Sequence, residues 1–416
     1  MKVLIIGGGA AGMFAAIEAS KTNEVIVLEK MPRLGTKLSI TGKGRCNVTN
    51  ACDRESFFEA ITRNSRFMQS SFSFFNNKDT ISFFENIGIS LKIERGQRVF
   101  PISDSAKDIV LGLKNEMIKN GVKYYLNTEV SEIEVKENKV IGVILKNGKK
   151  IDADAIILAT GGTSYKGTGS TGDGYNMLRK IGLKVIEPTP SLVPLETKNI
   201  NISSLMGISL RNIGLSIFNK KGKRCFNEMG EMLFTHFGIS GPLVLKASSI
   251  AFEEEDRKAN DLVGYKAEID FKPALDNKKI DKRLQKEMVE LSKKDLQNVL
   301  RGWLPANIIP IFLEKSKVDG RIKMHEMTKE NRKRIINSLK HFSIEIKGFR
   351  KIEEAIITRG GLDIKEVSPK TMESKHIKNL FICGEVLDID GLTGGFNLQV
   401  AFSTAHLAGS KVGNND

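Results

Sequence analysis

The chain has 416 residues, 40% of them hydrophobic and 27% charged, a balance that suits a globular protein of two or three domains and excludes a disordered or fibrous one. No apolar run reaches the roughly 18 residues that a membrane-spanning helix needs, and Cys46, Cys52, Cys225 and Cys383 are scattered without a CxxC pair. A disulfide framework and a zinc site are thereby excluded, and a reduced, cytoplasmic protein is expected. Lysine and arginine outnumber aspartate and glutamate by 64 to 49, a net charge of +15.

At the N-terminus, Lys2-Val-Leu-Ile-Ile6 reads as a buried parallel strand. The apolar stretch to Ala19 superficially imitates a signal peptide, but Gly7-Gly8-Gly9, Gly12 and Glu18 interrupt it, and a strand-turn-helix explains it better. Gly7, Gly9 and Gly12 fit GxGxxG, with Ala10 and Ala11 opening the helix. Gly7 permits the tight turn, Gly9 lets a pyrophosphate approach the backbone, and Gly12 with Ala16 lets helix and strand pack closely. A second strand, Val25 to Leu28, ends at Glu29, whose carboxylate suits the two ribose hydroxyls of an adenosine. Strand, glycines, helix, strand and terminal acid together predict a dinucleotide site.

From Ala51 to Gly121 the sequence predicts helices rich in phenylalanine, which read as core. Val122 to Lys150 predicts three alternating strands, an inserted meander with a turn at Lys146-Asn-Gly-Lys149. Ala155 to Leu158 is another apolar strand and runs into Ala159-Thr160-Gly161-Gly162. Gly167-Thr-Gly-Ser-Thr-Gly172 also fits GxGxxG but does not open from a strand; it reads as a cofactor-side loop and helix start, with a second nucleotide site as the alternative. Residues 190–271 hold short alternating segments of β-barrel character, and the barrel is expected to draw its last strand from 341–360. Residues 272–340 read as helices broken at Gly302, Pro305 and Pro310. Over 272–351 there are 21 basic residues against 10 acidic ones, a local net of +11, with clusters such as Lys278-Lys279, Lys282-Arg283, Lys293-Lys294 and Arg332-Lys333-Arg334. Such a concentration is either a solvated helical face or a surface for a polyanion.

The C-terminal end decides between FAD and NAD. Leu380 to Cys383 is a late strand that enters Gly384-Glu385, and Gly394-Gly395-Phe396-Asn397 then opens a helix to Ala408. FAD enzymes of the two-dinucleotide-fold type close their site in this way. The acid after the late strand holds the ribityl chain, and the Gly-Gly helix end stabilises negative charge on the reduced ring. Most of those enzymes carry Asp where this chain has Glu385. The expected cofactor contacts are the fingerprint residues, Thr160, Gly161, Gly384, Glu385, Gly394, Gly395, Phe396 and Asn397, together with Lys30, Lys37, Gly42, Arg45 and Val130.

Four longer segments, Gly35 to Asn50, Phe234 to Pro242, Ile357 to Leu362 and Gly384 to Gly391 with its Gly-Gly-Phe-Asn-Leu-Gln continuation, resemble the YhiN/BaiN-like flavoproteins, also labelled aminoacetone oxidase-like. The resemblance spans the chain. It implies an α/β fold in which a split, Rossmann-like FAD domain (1–189 and 352–416) is interrupted by a β-barrel-like domain (190–271) and a basic helical subdomain (272–340). It also implies reduction of a carbon–carbon double bond conjugated to a carbonyl, in a steroid-like enone or in a uridine of 23S ribosomal RNA, giving dihydrouridine. The charge at 272–351 favours the RNA substrate; a small-molecule reductase or amine oxidase is the alternative. With no nucleotide domain besides the FAD fold, NAD(P)H is expected as a transient electron donor. Cys46, in the loop after the second strand, is the first candidate for the proton donor, the alternative being a small buried packing residue. His236 is a second candidate acid or a turn-capping histidine. Arg359 suits presentation of a guanidinium to flavin or substrate.

Overall fold

A computed structural model describes residues 1–198 and 202–413. The chain divides into two compact units, Met1–Ser191 with Ile352–Asp416, and Leu192–Lys351.

The first unit is built on a five-stranded parallel sheet. β1 (Lys2–Ile6) lies at its centre, between Ala155–Leu158 and β2 (Glu24–Leu28), with Leu380–Ile382 and Lys123–Tyr125 at the edges. Central parallel strands are covered on both faces, and the side chains of Val3 to Ile6 and Val25 to Leu28 are accordingly buried. α1 (Ala10–Ala19) is apolar nearly all round because the sheet and the C-terminal helix Phe396–Lys411 both cover it. Small residues set both approaches. A Cβ on Gly12 would stand 1.8 Å from the Gly7 carbonyl oxygen, and one on Gly409 would stand 2.7 Å from that of Ala15. The phenylalanines of 51–121 pack as core: Phe57 stacks on Phe72 at 4.0 Å, and Phe84 meets Phe402 at 5.6 Å.

Three local expectations change. Lys123–Tyr125 pairs in parallel with β2, so the meander is Val130–Lys136, Lys139–Leu145 and Lys150–Asp152. An edge strand with one wet face alternates just as a meander strand does. The Phe-rich stretch also contains a small antiparallel sheet, Thr49–Asn50, Arg98–Pro101 and Leu91–Glu94, whose strands of two to four residues are too short for periodicity to reveal. Pro310 does not break a helix. It sits in the first turn of Ile309–Ser316, where its missing N–H costs nothing.

The second unit contains a closed six-stranded barrel in the order Leu195–Lys198, Gly238–Ser240, Arg224–Phe234, Ser209–Phe218, Lys266–Asp270, Phe342–Phe349. Of the 341–360 stretch, Phe342–Phe349 closes the barrel, whereas Ile357–Leu362 pairs with Val185–Ser191 in the first unit. Between Lys266–Asp270 and Phe342–Phe349 lie the basic helices Asn277–Glu290 and Lys329–Lys340, with Ile309–Ser316 between them in sequence.

Candidate functional site

At the C-terminal ends of the parallel strands the first unit encloses a cavity of about 620 Å³, lined wholly by its own residues and within the size range of cofactor sites. One end is the β1–α1 turn. Gly7 has φ +103, and a Cβ there would stand 2.6 Å from the Ala159 carbonyl oxygen. Gly9 is different: a Cβ on it would meet nothing within 4 Å, so its backbone faces open space. Gly9, Ala10 and Ala11 line the cavity with the first-turn N–H groups of α1, which have no intrahelical partner and suit a pyrophosphate. Glu29 ends β2 buried, its two oxygens accepting from the N–H groups of Gly8 at 2.6 Å and Met31 at 2.7 Å. Each oxygen keeps a free lone pair for a ribose hydroxyl. Behind this end a smaller cavity of about 40 Å³ is lined by Gly7, Glu29, Lys30, Val130, Thr160 and Gly169 among others. Lys30 there is paired with Asp173 and Thr171. Thr160 borders both cavities, and its buried hydroxyl has no partner.

The other end is the start of the C-terminal helix. Gly394 and Gly395 both have positive φ (+127 and +96), and a Cβ on Gly395 would stand 2.4 Å from the Thr49 backbone. Only glycines let the helix end reach the wall here. Its free N–H groups and positive dipole end face the cavity. The Asn397 side chain, an expected cofactor contact, is turned onto the Gly391 backbone, with which it exchanges two hydrogen bonds of 2.8 Å. Phe396 packs 6.0 Å from the Phe57 ring and does not line the cavity. Midway along the cavity, Glu385 is fixed by the Thr358 N–H, the Ser164 hydroxyl and Lys37, whose Nζ is 2.6 Å away and also donates to Ser164. The Gly161 backbone and Thr168 to Ser170, the loop of the second GxGxxG, complete this stretch, with Asp173–Lys180 as the helix that follows.

The remaining wall comes from the loop after β2 and from the strand Arg98–Pro101. Thr41, Gly42, Lys43, Arg45, Asn47, Arg98 and Phe100 line it. The Arg45 guanidinium lies 4.2 Å over the Phe100 ring and is clamped by Glu94 and Asp104, which raise its pKa and are themselves lowered. Arg98 makes no ion pair among the described residues; its Nε donates to the Arg95 carbonyl at 3.0 Å. Sequence reasoning missed Arg98, Phe100 and the role of Asn47, because the little sheet that brings them to the wall is not legible as periodicity.

The three candidate catalytic residues are not brought together. Cys46 is fully buried and does not line the cavity; burial pushes its thiol up to about 12, against a smaller lowering by the Thr41 hydrogen bond. The structure therefore corrects the expectation of a donor with an ordinary thiol pKa, since such a buried group neither reaches substrate nor exchanges protons readily. Arg359 lies on Ile357–Leu362 but does not line the cavity, whereas Ile356 and Ile357 do. His236 belongs to the barrel unit. It is exposed in the tight turn Thr235–Gly238, edge-on to Phe237 at 4.9 Å.

A parallel sheet with a phosphate-binding glycine turn, a ribose acid and a Gly-Gly helix end across one cavity fits FAD, and defines an FAD-dependent oxidoreductase of the two-dinucleotide-fold type. A family model described as the HI0933-like protein Rossmann domain matches residues 1–411, and the chain belongs to that family. A Haemophilus influenzae protein named ribosomal RNA dihydrouridine synthase is 32% identical over 97% of this chain and 96% of its own. A Clostridium scindens protein named 3-dehydro-bile acid delta(4,6)-reductase is 30% identical over 98% of each chain. Among solved structures, an Escherichia coli quinol fumarate reductase chain (18% identity, TM-score 0.53, covering 100% of this chain and 72% of its own) shares the fold. So does a Sterolibacterium denitrificans 3-ketosteroid delta1-dehydrogenase (15% identity, TM-score 0.51, 99% and 98%). No helix among the described residues is long and apolar enough to cross a membrane.

Proposed function

We propose that this oxidoreductase reduces a uridine of 23S rRNA, or of its precursor, to dihydrouridine in the cytoplasm, with NAD(P)H as the transient electron source. The observation that carries the reading is the charge of the second unit. On Asn277–Glu290 and Lys329–Lys340 the exposed Lys278, Lys282, Lys329 and Lys333 lie at i, i+4 spacing, and none makes an ion pair among the described residues. Cations left without carboxylate partners on exposed helical faces suit a phosphate backbone. The full-length similarity to a relative named ribosomal RNA dihydrouridine synthase supports the same substrate.

When bound, FAD supplies the hydride that adds to the carbon β to the uracil carbonyl, and a proton completes the α carbon. The chain's own residues hold the cofactor at the glycine turn and Glu29, and the helix end at Gly394-Gly395 places N–H groups where negative charge develops. The rival reading, a reductase of a steroid-like enone, is supported by the similarity to the bile acid reductase. Deleting the gene and quantifying dihydrouridine in purified 23S rRNA by nucleoside mass spectrometry separates the two. Loss of the signal, restored by the wild-type gene but not by Gly9→Glu, is the expected result. An unchanged signal in a strain whose parent carries the modification refutes the RNA reading and leaves the small enone.

A further inference from the structure

We propose that Asn47 reads the imide edge of the base taken into the cavity, so that it selects a uracil over an enone without an N–H; the inference rests on the function proposed above. Asn47 follows a loop held in an unusual path, with left-handed backbone at Gly42, Lys43, Gly44 and Cys46 (φ 56, 60, 84 and 60). Two of those residues are not glycines, so the path is maintained against a local preference. The chain on either side of Asn47 is pinned: the Cys46 N–H donates to the Thr41 carbonyl at 3.0 Å, and the Val48 N–H donates to the Val99 carbonyl at 2.9 Å. Backbone and loop therefore fix where the Asn47 side chain stands, on the cavity wall.

The amide itself is left over. Its Oδ1 is buried with no hydrogen-bond partner, and its Nδ2 makes none. The neighbouring amides show that this is not a habit of the region. Asn50 donates to the carbonyls of Gly394 (2.9 Å) and Gly96 (3.1 Å), and Asn397 is satisfied by Gly391. A buried, immobilised amide that lacks both partners is costly unless a ligand supplies them. What complements it is one N–H beside one carbonyl, the arrangement on the edge of uracil. A steroid enone offers the carbonyl alone and leaves Oδ1 unpaired, and a site built for hydrogen bonding rejects such a ligand strongly. Arg98 on the same wall has no carboxylate partner and offers its charge to the phosphate next to that base. The flavin ring has an imide edge of its own, and it is the competing partner for the amide.

The test uses the FAD-loaded protein and reads flavin absorbance while a single-stranded oligouridylate, or the same oligomer methylated at uracil N3, is added. Wild type is expected to bind the unmethylated oligomer roughly tenfold more tightly. In Asn47→Ala that preference disappears while FAD affinity and midpoint potential stay at wild-type values. Asn47→Asp, of the same shape, keeps an acceptor for the N–H but repels the base carbonyl; it weakens oligouridylate binding at full FAD content and serves if the alanine variant does not fold. A preference that persists in Asn47→Ala overturns the proposal. So does an altered FAD affinity or potential with unaltered oligomer binding, which gives the amide to the flavin. If either occurs while gene deletion abolishes dihydrouridine in 23S rRNA, only the role of Asn47 is lost. If deletion leaves dihydrouridine unchanged, the function falls and this inference falls with it.

Discussion

Gly9 and Gly12 occupy one motif three residues apart, and the space around each gives them opposite sensitivities. A Cβ on Gly12 collides with the Gly7 carbonyl, whereas one on Gly9 meets only the open cavity, at an ordinary φ of −79. Gly12→Ala is therefore expected to force strand and helix apart and to destabilise the apoprotein by roughly 3 kcal/mol, seen in denaturant unfolding. Gly9→Ala is expected to leave apoprotein unfolding within about 0.5 kcal/mol of wild type and to lower FAD affinity at least tenfold, measured by fluorescence titration. Equal unfolding of both variants with equal flavin content would sink the distinction. At this scale the sequence is most legible where a backbone conformation demands glycine. The turn at Gly7, the approach at Gly9 and the pair Gly394-Gly395 were all readable as spacing. Cys46 misled, because a reactive and a packed thiol look alike in sequence and only burial separates them. Asn47 stood in a recognised segment, but nothing in the sequence tells a satisfied amide from an unsatisfied one.

Among the elements, the C-terminal helix Phe396–Lys411 does two things, presenting its N-terminus to the cavity and packing along α1. His406 joins these in a way that pH can reach. Its ring stacks on Phe75 at 4.3 Å and stands 3.3 Å from Glu18, and burial lowers its pKa below 6.5 more than Glu18 restores it. Folded His406 thus stays neutral where unfolded His406 already binds a proton. Stability from this site is full above about pH 6.5, falls as pH drops below that value, and stops falling once the folded-state pKa is passed. His406→Phe, which keeps the stack and removes the titration, is expected to flatten the acid limb of the melting temperature measured on either side of pH 6.5. An unchanged limb would assign the acid response to another group. The helix itself was legible from its glycines and apolar run. The strand Lys123–Tyr125 was placed in the wrong sheet because pairing partners are a tertiary property, and the small sheet around Arg98 was too short to register.

Over the whole molecule the net charge of +15 is not spread evenly, and the residues of the 272–351 region are not equivalent either. Arg332, within the densest basic run, is mostly buried (side chain 14% exposed) and holds Asp281 at 2.8 Å across the two basic helices. Replacing it probes helix packing, not a surface. Arg283 likewise pairs with Glu287 and lies 3.9 Å from the Trp303 ring. The cations available to a polyanion are the exposed ones without such ties, among them Lys278, Lys282, Lys329 and Lys333. Changing these four to Gln is expected to leave unfolding within about 0.5 kcal/mol of wild type, as surface changes usually do. It is also expected to weaken rRNA binding and to flatten its dependence on salt, by roughly 0.7 in the slope of log K against log salt for each phosphate contact removed from a single strand. Arg332→Gln should do the reverse, lowering stability at an unchanged salt slope. Filter-binding titrations of an rRNA fragment over a salt series, beside denaturant unfolding of each variant, read both effects. A quadruple variant that binds with wild-type affinity and slope would reduce the basic helices to a solvated face and remove the main physical support for an RNA substrate.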